Sequence, residues 1–365
     1  MPISAALGSS ALLPAGLGFR NKLINGDMRI NQRGSGVITG SGSRQFPVDQ
    51  WGMWNGTGTV TFQQSTTAPT GFTNSLLATV TSTGSYGTSG YTQMQTKIEG
   101  FNCQDLAWGT ASAKTITLSF WCRASVTGTY PVGLRNSAAD RSYVATFTVN
   151  TANTWEYKTL YIPGDTTGTW LTNNGVGLDI VFNLGLGTGD DTSTPNTWIS
   201  GNKGSTSSCV DFASNAGATF YLTGVQLEQN TQATPFEQRP YGVELALCQR
   251  YFHIVPATDM YAYNLYWNVG LSGGSQVVNY KWPVPMRAVP TIRTSAGSAT
   301  ALDFSYFQNA AGAGLQRFLE DTGASSVYGC KTLLYSSNNN SNNLLTANGY
   351  TMAQCQIPLW VNAEL

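Results

Sequence analysis

The chain has 365 residues, a formal net charge of zero and only 10% charged residues, against about a quarter in an average domain, so no electrostatic surface is offered to nucleic acid or to an anionic membrane. Apolar residues make up 41% and aromatics 12%, with 40 Gly, a composition that supports two cored domains built of strands and turns. Six cysteines lie at 103, 122, 209, 248, 330 and 355 with no CxxC pair, and the single imidazole is His253, which argues against zinc.

Residues 1–20 are mildly apolar, lack a basic residue before Arg20 and are broken by Gly8, Pro14, Gly16 and Gly18. That pattern fits neither a signal peptide nor a membrane span; such a leader is either disordered or ordered by docking on a partner. From Asn21 onward, short strand-like runs alternate with Gly, Ser, Asn and Pro at spacings of roughly ten residues, as in a sandwich or barrel. In KTITLSFWCRAS, Ile116, Leu118, Phe120 and Cys122 face one way and Thr117, Ser119, Trp121 and Arg123 the other, the period of a half-buried strand. The runs SYVATFTV, EYKTLYI, GVGLDIVFNL and ATFYLTGVQLE repeat the theme. Together they predict one sheet-on-sheet core over residues 21–238. Cys122 and Cys355 fall in apolar alternation and read as buried free thiols, three disulfides being the alternative.

Pro235 and Pro240 then break the strand pattern, and Val243, Leu247 and Tyr251 recur at i, i+4 and i+8. This predicts a short helix over 239–253. A helix this short is marginal alone, so its stripe packs on the first domain, on the second, or on copies of itself. His253, at its end, is read as a capping or interface residue rather than a base. Residues 254–365 are again β: Tyr261, Tyr263 and Trp267 share a strand face, the proline-rich segment near 282–290 suits an edge, YSSNNNSNNLLTANG is an exposed loop, and the chain closes on the alternating Cys355, Ile357, Leu359 and Val361.

Three segments, NKLINGDMRINQRG, TWEYKTLYIPGDTTGTW and VQLEQNTQATPFEQRPYGVELALCQRYF, resemble bacteriophage virion proteins of the tail-fibre and minor tail class. The resemblance spans about residues 21–252. It implies a carbohydrate-binding-module-like jelly roll for 21–238, a homotrimer and a place in the virion after synthesis in the host cytoplasm. The expected fold class is therefore all-β: leader (1–20), jelly-roll β-sandwich (21–238), linking helix (239–253) and a smaller C-terminal β domain (254–365). The leader is expected to dock on another virion protein. In a trimer, three copies of Val243, Leu247 and Tyr251 bury a stripe that one copy leaves open; docking on the same chain's sandwich is the alternative. Jelly rolls of this type often hold a structural calcium ion, for which Asp27 and Glu228 are the candidate ligands; no other cofactor is expected.

Sugar recognition uses aromatic faces amid neutral hydrogen-bonding groups. Trp170 and Trp198, in polar Gly/Thr/Asn contexts, are the candidate glycan-stacking rings, while Trp51 and Trp54 read as core. The expected function is a non-enzymatic tail fibre or adhesin that binds bacterial surface polysaccharide. The alternative is a collar, adaptor or capsid-decoration fibre that never touches the host. A glycan depolymerase needs two carboxylates across a cleft, for which Asp190 and Asp191 are the nearest pair, in a turn-prone loop.

Overall fold

The computed structural model describes residues 19–40, 42–255, 261–262, 275–294, 316–320, 328–336, 353–354 and 359–365. Among the described residues thirteen strands precede the helix: β1 (Ile38–Thr39), β2 (Gln45–Val48), β3 (Trp51–Asn55), β4 (Thr59–Ser65), β5 (Ser75–Ser82), β6 (Tyr91–Glu99), β7 (Ile116–Ala124), β8 (Gly128–Arg135), β9 (Arg141–Val149), β10 (Glu156–Ile162), β11 (Val176–Leu186), β12 (Trp198–Ser200) and β13 (Thr219–Glu228). They form a six-stranded sheet in the order β1-β4-β5-β13-β7-β10 and a seven-stranded sheet in the order β12-β9-β8-β11-β6-β3-β2, all paired antiparallel. This is the expected all-β sandwich, of jelly-roll type. Each of the five alternating runs read from the sequence carries a strand.

The alternation explains the core. Ile116, Leu118, Phe120 and Cys122 of β7 are fully buried, as are Leu178, Ile180 and Phe182 of β11. Phe120 meets Phe147 and Phe182 edge-on, with ring centroids 5.0 Å apart in both pairs, the arrangement that aromatic quadrupoles prefer. Cys103, Cys122, Cys209 and Cys248 are free thiols, and burial pushes Cys103 and Cys122 up to about 12. Cys355 lies outside the described residues.

The segment NKLINGDMRI does not form the first strand that its sequence suggests. Asn25 and Met28 take positive φ values of 56° and 60°, which an L-residue accepts only at a cost, and the Asn25 side chain compensates. Its amide donates to the carbonyls of Ile30 (2.9 Å) and Asp49 (2.8 Å) and accepts from Ile30 N–H (2.9 Å). A Cβ on Gly26 would stand 2.1 Å from the Val225 carbonyl oxygen, so only glycine lets this turn lie against β13. Val225 N–H in turn donates to the Gly26 carbonyl at 2.9 Å, at the irregular register between Thr223 and Gln226.

Helix α1 (Tyr241–Gln249) follows Pro240. It contacts the sandwich of its own chain, one of the three environments read for it from the sequence. Glu244 is buried and accepts from Asn25 N–H. Arg239, also buried, donates to the carbonyls of Leu23 (3.0 Å) and Asn21 and lies 3.3 Å from Glu244 Oε2. Past the helix end, the Arg250 guanidinium grips both Glu99 oxygens at 2.9 and 2.6 Å, and Tyr251 O–H donates to Glu99 at 2.9 Å. His253 is not a helix cap: it belongs to the next strand and pairs with Val361.

The remaining described strands are β14 (Phe252–Val255), β15 (Tyr261–Ala262), β16 (Ser275–Lys281), β17 (Thr291–Thr294), β18 (Gln316–Glu320), β19 (Gly329–Ser336), β20 (Ala353–Gln354) and β21 (Leu359–Asn362). Their sheets are β14-β21-β17, β16-β19-β18 and β15-β20. The leader through residue 18, Tyr263, Trp267 and residues 337–350 lie outside the described residues. Arg33 ties β21 to the sandwich, because its guanidinium is 2.9 Å from Asp49 and 3.0 Å from Glu364 and covers the Phe252 ring at 3.6 Å. Among the described residues no helix is long and apolar enough to cross a membrane.

Two predictions follow from these buried charges. Replacing Glu244 by Ala takes from Arg239 one of its two carboxylates, Glu237 remaining at 3.1 Å, leaves Asn25 N–H without an acceptor, and is expected to cost about 2 kcal/mol in denaturant unfolding. The double replacement Arg239→Met with Glu244→Leu should cost clearly less than the sum of the two single changes, and strict additivity would show that the two side chains do not act as a pair. The second concerns Asp49, which burial pushes up to about 6 despite Arg33 and the Gln32 amide at 2.7 Å. The folded chain therefore holds a proton that the unfolded chain has released, and this stabilising contribution is complete below the ordinary carboxylate pKa and fades as pH rises through about 6. Asp49→Asn should flatten the stability profile between pH 4 and pH 7 by up to about 3 kcal/mol; unfolding curves that parallel the parent through that window would assign the dependence elsewhere.

Candidate functional site

The two tryptophans expected to stack on sugar do come together, but not as open rings. Trp198 begins β12, the edge of the larger sheet, opposite Tyr143 of β9. Trp170 comes from the loop between β10 and β11, and Trp108 from the turn before β7 joins them. The three rings pack edge to face, with centroids 4.8 Å (Trp108–Trp170), 5.2 Å (Trp108–Trp198) and 5.3 Å (Trp170–Trp198) apart. Each indole N–H donates to a backbone carbonyl: Trp108 to Lys114 at 2.8 Å, Trp170 to Thr167 at 3.1 Å and Trp198 to Pro163 at 2.7 Å. Trp170 and Trp198 are half-buried against the core. The trio thus closes one edge of the sandwich and anchors two loops. Beneath it Arg141 holds Asp165 through two bonds of 2.8 and 2.7 Å; burial pushes that carboxyl up, and the Arg141 and Thr167 hydrogen bonds outweigh it, so it lies below the usual range.

The outer face of the seven-stranded sheet has the opposite character. Strand alternation puts Leu178, Ile180, Phe182 and Leu184 of β11 in the core, and therefore turns Asp179, Val181 and Asn183 outward. The registers set these in three rows across the sheet: Trp54, Gln93 and Asn183; then Gly52, Gln95, Val181 and Gly133; then Lys97, Asp179, Arg135 and Ser142. The two glycines keep the middle row low, forming a trough. Arg44 bounds it at one end, where a Cβ on Gly52 would meet its Nε at 2.1 Å. The other end is bounded by the Asn202–Gly204 loop, pinned by Gly204 N–H to the Asp190 carbonyl at 3.0 Å and by the Lys203 ammonium to the Gly189 carbonyl at 2.6 Å.

Hydrogen bonding in the trough is incomplete. The Gln95 amide N–H₂ donates to both Asp179 oxygens at 2.8 Å, Arg135 reaches Asp179 at 2.7 Å and Asn202 at 2.8 Å, and the Asn183 amide donates to the Gly204 carbonyl at 2.8 Å. Trp54 Nε1, Gln95 Oε1, Arg135 Nε and Asn183 Oδ1 are buried and have no partner. Orphaned buried polar atoms are uncommon in folded proteins, and here four lie on adjacent strands of one face. The recess beside Asn183, Gly133 and Lys203 measures ≈ 20 Å³, room for about one water molecule. A larger ligand therefore lies along the face and not inside it.

Trp54 was expected in the core with Trp51. Only Trp51 is there, with its indole N–H on the Asn25 carbonyl at 3.0 Å; Trp54 faces outward, edge-on to Tyr91 at 6.2 Å. The odd spacing of the two in WGMWN carries this signal, since residues three apart on a strand point to opposite faces.

The remaining candidates are dispersed. Asp27 pairs with Arg29 at 2.6 Å, while Glu228 accepts from Thr234 N–H (2.8 Å), Thr234 O–H (2.7 Å) and the Gln226 amide (3.0 Å), with Arg20 at 3.6 Å. With these oxygens already engaged by cations and donors, the pair does not fit a calcium ion, and among the described residues no three His, Cys, Asp or Glu side chains cluster as metal ligands. In the helical stripe, Val243 is exposed and Leu247 half-buried, whereas Tyr251 is sealed inside the chain on Glu99. Asp190 lies in a short 3-10 turn after β11, with Asp191 next to it, and burial raises the Asp191 carboxyl.

No protein-family model matches the sequence, and no curated protein matches it. Among solved structures, the chain is similar to the enzymatically active domain of tailspike protein 4 of bacteriophage CBA120, at 12% identity and a TM-score of 0.33, over 58% of this chain and 22% of that one. It is also similar to a family 11 carbohydrate-binding module from Clostridium thermocellum in complex with a mixed-linked β-1,3-1,4 tetrasaccharide (14% identity, TM-score 0.27, 55% of this chain and 100% of that one). A third likeness is to a putative sugar binding protein from Bacteroides thetaiotaomicron (10% identity, TM-score 0.30, 57% and 100%). At such identities and TM-scores nothing about ligand or assembly transfers from them to this chain.

Proposed function

We propose that this chain is a non-catalytic, glycan-binding subunit of a bacteriophage virion, a homotrimeric tail fibre or adhesin attached through residues 1–20, whose sugar contact is the outer face of the seven-stranded sheet. The observation that carries the glycan reading is the set of orphaned donors and acceptors on Trp54, Gln95, Arg135 and Asn183. A saccharide hydroxyl both donates and accepts, so a ring laid along the trough can serve both kinds of atom through a hydroxyl or a bridging water in the recess beside Asn183 and Arg135. The half-buried Trp54, supported by Tyr91, offers an indole at the end of the same row for the apolar face of a sugar. Asp179 is committed to Arg135 and Gln95, which suits positioning and not proton transfer. The virion location is supported by the low charge and the three sequence segments that resemble tail-fibre proteins. For the trimer, the exposed Tyr241 and Val243 are what the helix leaves for a neighbouring copy.

Titration of the purified chain against a panel of bacterial surface polysaccharides tests the site. Trp54→Ala is expected to weaken binding roughly tenfold or more, while Trp170→Ala leaves affinity unchanged and lowers only thermal stability. Binding that survives Trp54→Ala and disappears with Trp170→Ala would move the site to the tryptophan trio. Soluble chain should also block phage adsorption to its host; unimpeded adsorption would favour a collar or decoration subunit.

A further inference from the structure

The charge on the trough is unbalanced, and the imbalance centres on Lys97. Its ammonium is opposed by Arg44, Arg135 and Arg287 and attracted by Asp179 alone, and burial together with these cations pushes its pKa down. Asp179 is already engaged by Arg135 at 2.7 Å and by Gln95 at 2.8 Å. Glu364 attracts Arg44, but its oxygens serve Arg33 at 3.0 Å and Gln50 at 3.3 Å. Arg287 is fixed by backbone carbonyls, those of Asn174 at 2.7 Å and Ala363 at 2.8 Å, and so brings a positive charge without a carboxylate. Arg44 bonds a main-chain oxygen of Leu365, and its Nε is a further buried orphan. Among the described residues Lys97 makes no ion pair or hydrogen bond, although its strand neighbours across the row, Asp179 and Arg135, are paired with each other.

Lys97 is a half-buried side chain that feels three guanidinium groups and a single carboxylate, and an anion joining it relieves that like-charge repulsion. Hydroxyl groups satisfy Gln95 and Asn183, but they leave this excess charge in place. We infer that the trough selects a sugar bearing an anionic substituent, a carboxylate or a sulfate, with Lys97 as the specificity-determining contact beside Arg44 and Arg135. This rests on the glycan reading above and adds the class of sugar.

The test uses the full chain at fixed ionic strength with two matched pairs of polymers, polygalacturonate against its carboxyl-reduced form and dextran sulfate against dextran. The acidic member of at least one pair should bind more tightly, and which pair responds separates carboxylate from sulfate. Lys97→Gln should weaken that binding about tenfold without altering affinity for the neutral member. Lys97→Arg should retain most of it, and Lys114→Gln, which removes a charge from an exposed loop elsewhere, should change nothing. Equal affinity for acidic and neutral members, still sensitive to Trp54→Ala, would overturn the inference while the glycan reading stands. An equal loss with Lys97→Gln and Lys114→Gln would also overturn it, by reducing the effect to net charge. Failure of all four polymers to bind would remove the inference and count against the glycan reading beneath it.

Discussion

The pairing of Arg239 with Glu244 inside the joint between sandwich and helix is the interaction on which the surrounding structure depends. Neither charge is stable in a buried site alone, and each is completed by backbone from the irregular segment Asn21–Asn25. Glu237, just before Arg239, accepts from the N–H groups of Arg20 and Asn21 at 3.1 and 3.0 Å. The start of the sandwich, the end of β13 and the helix are thereby fixed by a single polar network. Through Arg250, Tyr251 and Glu99 the same joint grips the end of β6, and through Arg33, Asp49 and Glu364 it reaches β21. In a chain so poor in charge, this joint gathers ionic residues where strand hydrogen bonding is absent and backbone groups need other partners.

This division of labour has a consequence for the larger sheet. Its inner face is satisfied by close packing of Phe147 and Phe182 against Phe120 of the smaller sheet, which requires no polar chemistry. Its outer face carries side chains that satisfy each other only in part: Asp179 accepts from two neighbours, while Gln95, Asn183 and Trp54 each retain an unused atom. Incomplete networks of this kind are unfavourable in an isolated fold and become favourable when a polar ligand completes them. The opposite holds for the tryptophan trio, where every indole N–H has a carbonyl and the rings cover one another. A half-exposed tryptophan is therefore a poor guide to binding until its neighbours are known.

The alternation of Ile116, Leu118, Phe120 and Cys122, and its recurrence in later runs, was enough to establish strands, because a period of two with one apolar face has few other solutions. The break at Pro235 and Pro240 likewise located the helix. What remained illegible follows from long-range partners. NKLINGDMRI has the local look of a strand, yet Asn25 and Gly26 turn it because Val225 N–H, far along the chain, donates to the Gly26 carbonyl and the Asp49 carbonyl accepts from the Asn25 amide. Tyr251 continues the helical spacing of Val243 and Leu247, but Glu99 draws it into the interior after the helix has ended.

By itself the sequence determined the class of fold, the spacing of its strands and the absence of a strong net charge, since these follow from composition and periodicity, which are local. That Trp51 and Trp54 face opposite ways was also written there, in their odd spacing, although which of them lies in the core was not. Only the tertiary structure decided that Trp54, Gln95, Lys97, Asp179, Asn183 and Arg135 share one face, because their rows are set by the registers of four strands drawn from distant parts of the chain. The same holds for Asp27 and Glu228, whose residue types suit a cation but whose neighbours already neutralise them. Charge and hydrogen bonding act between atoms brought together in space, and that proximity is fixed by strand pairing.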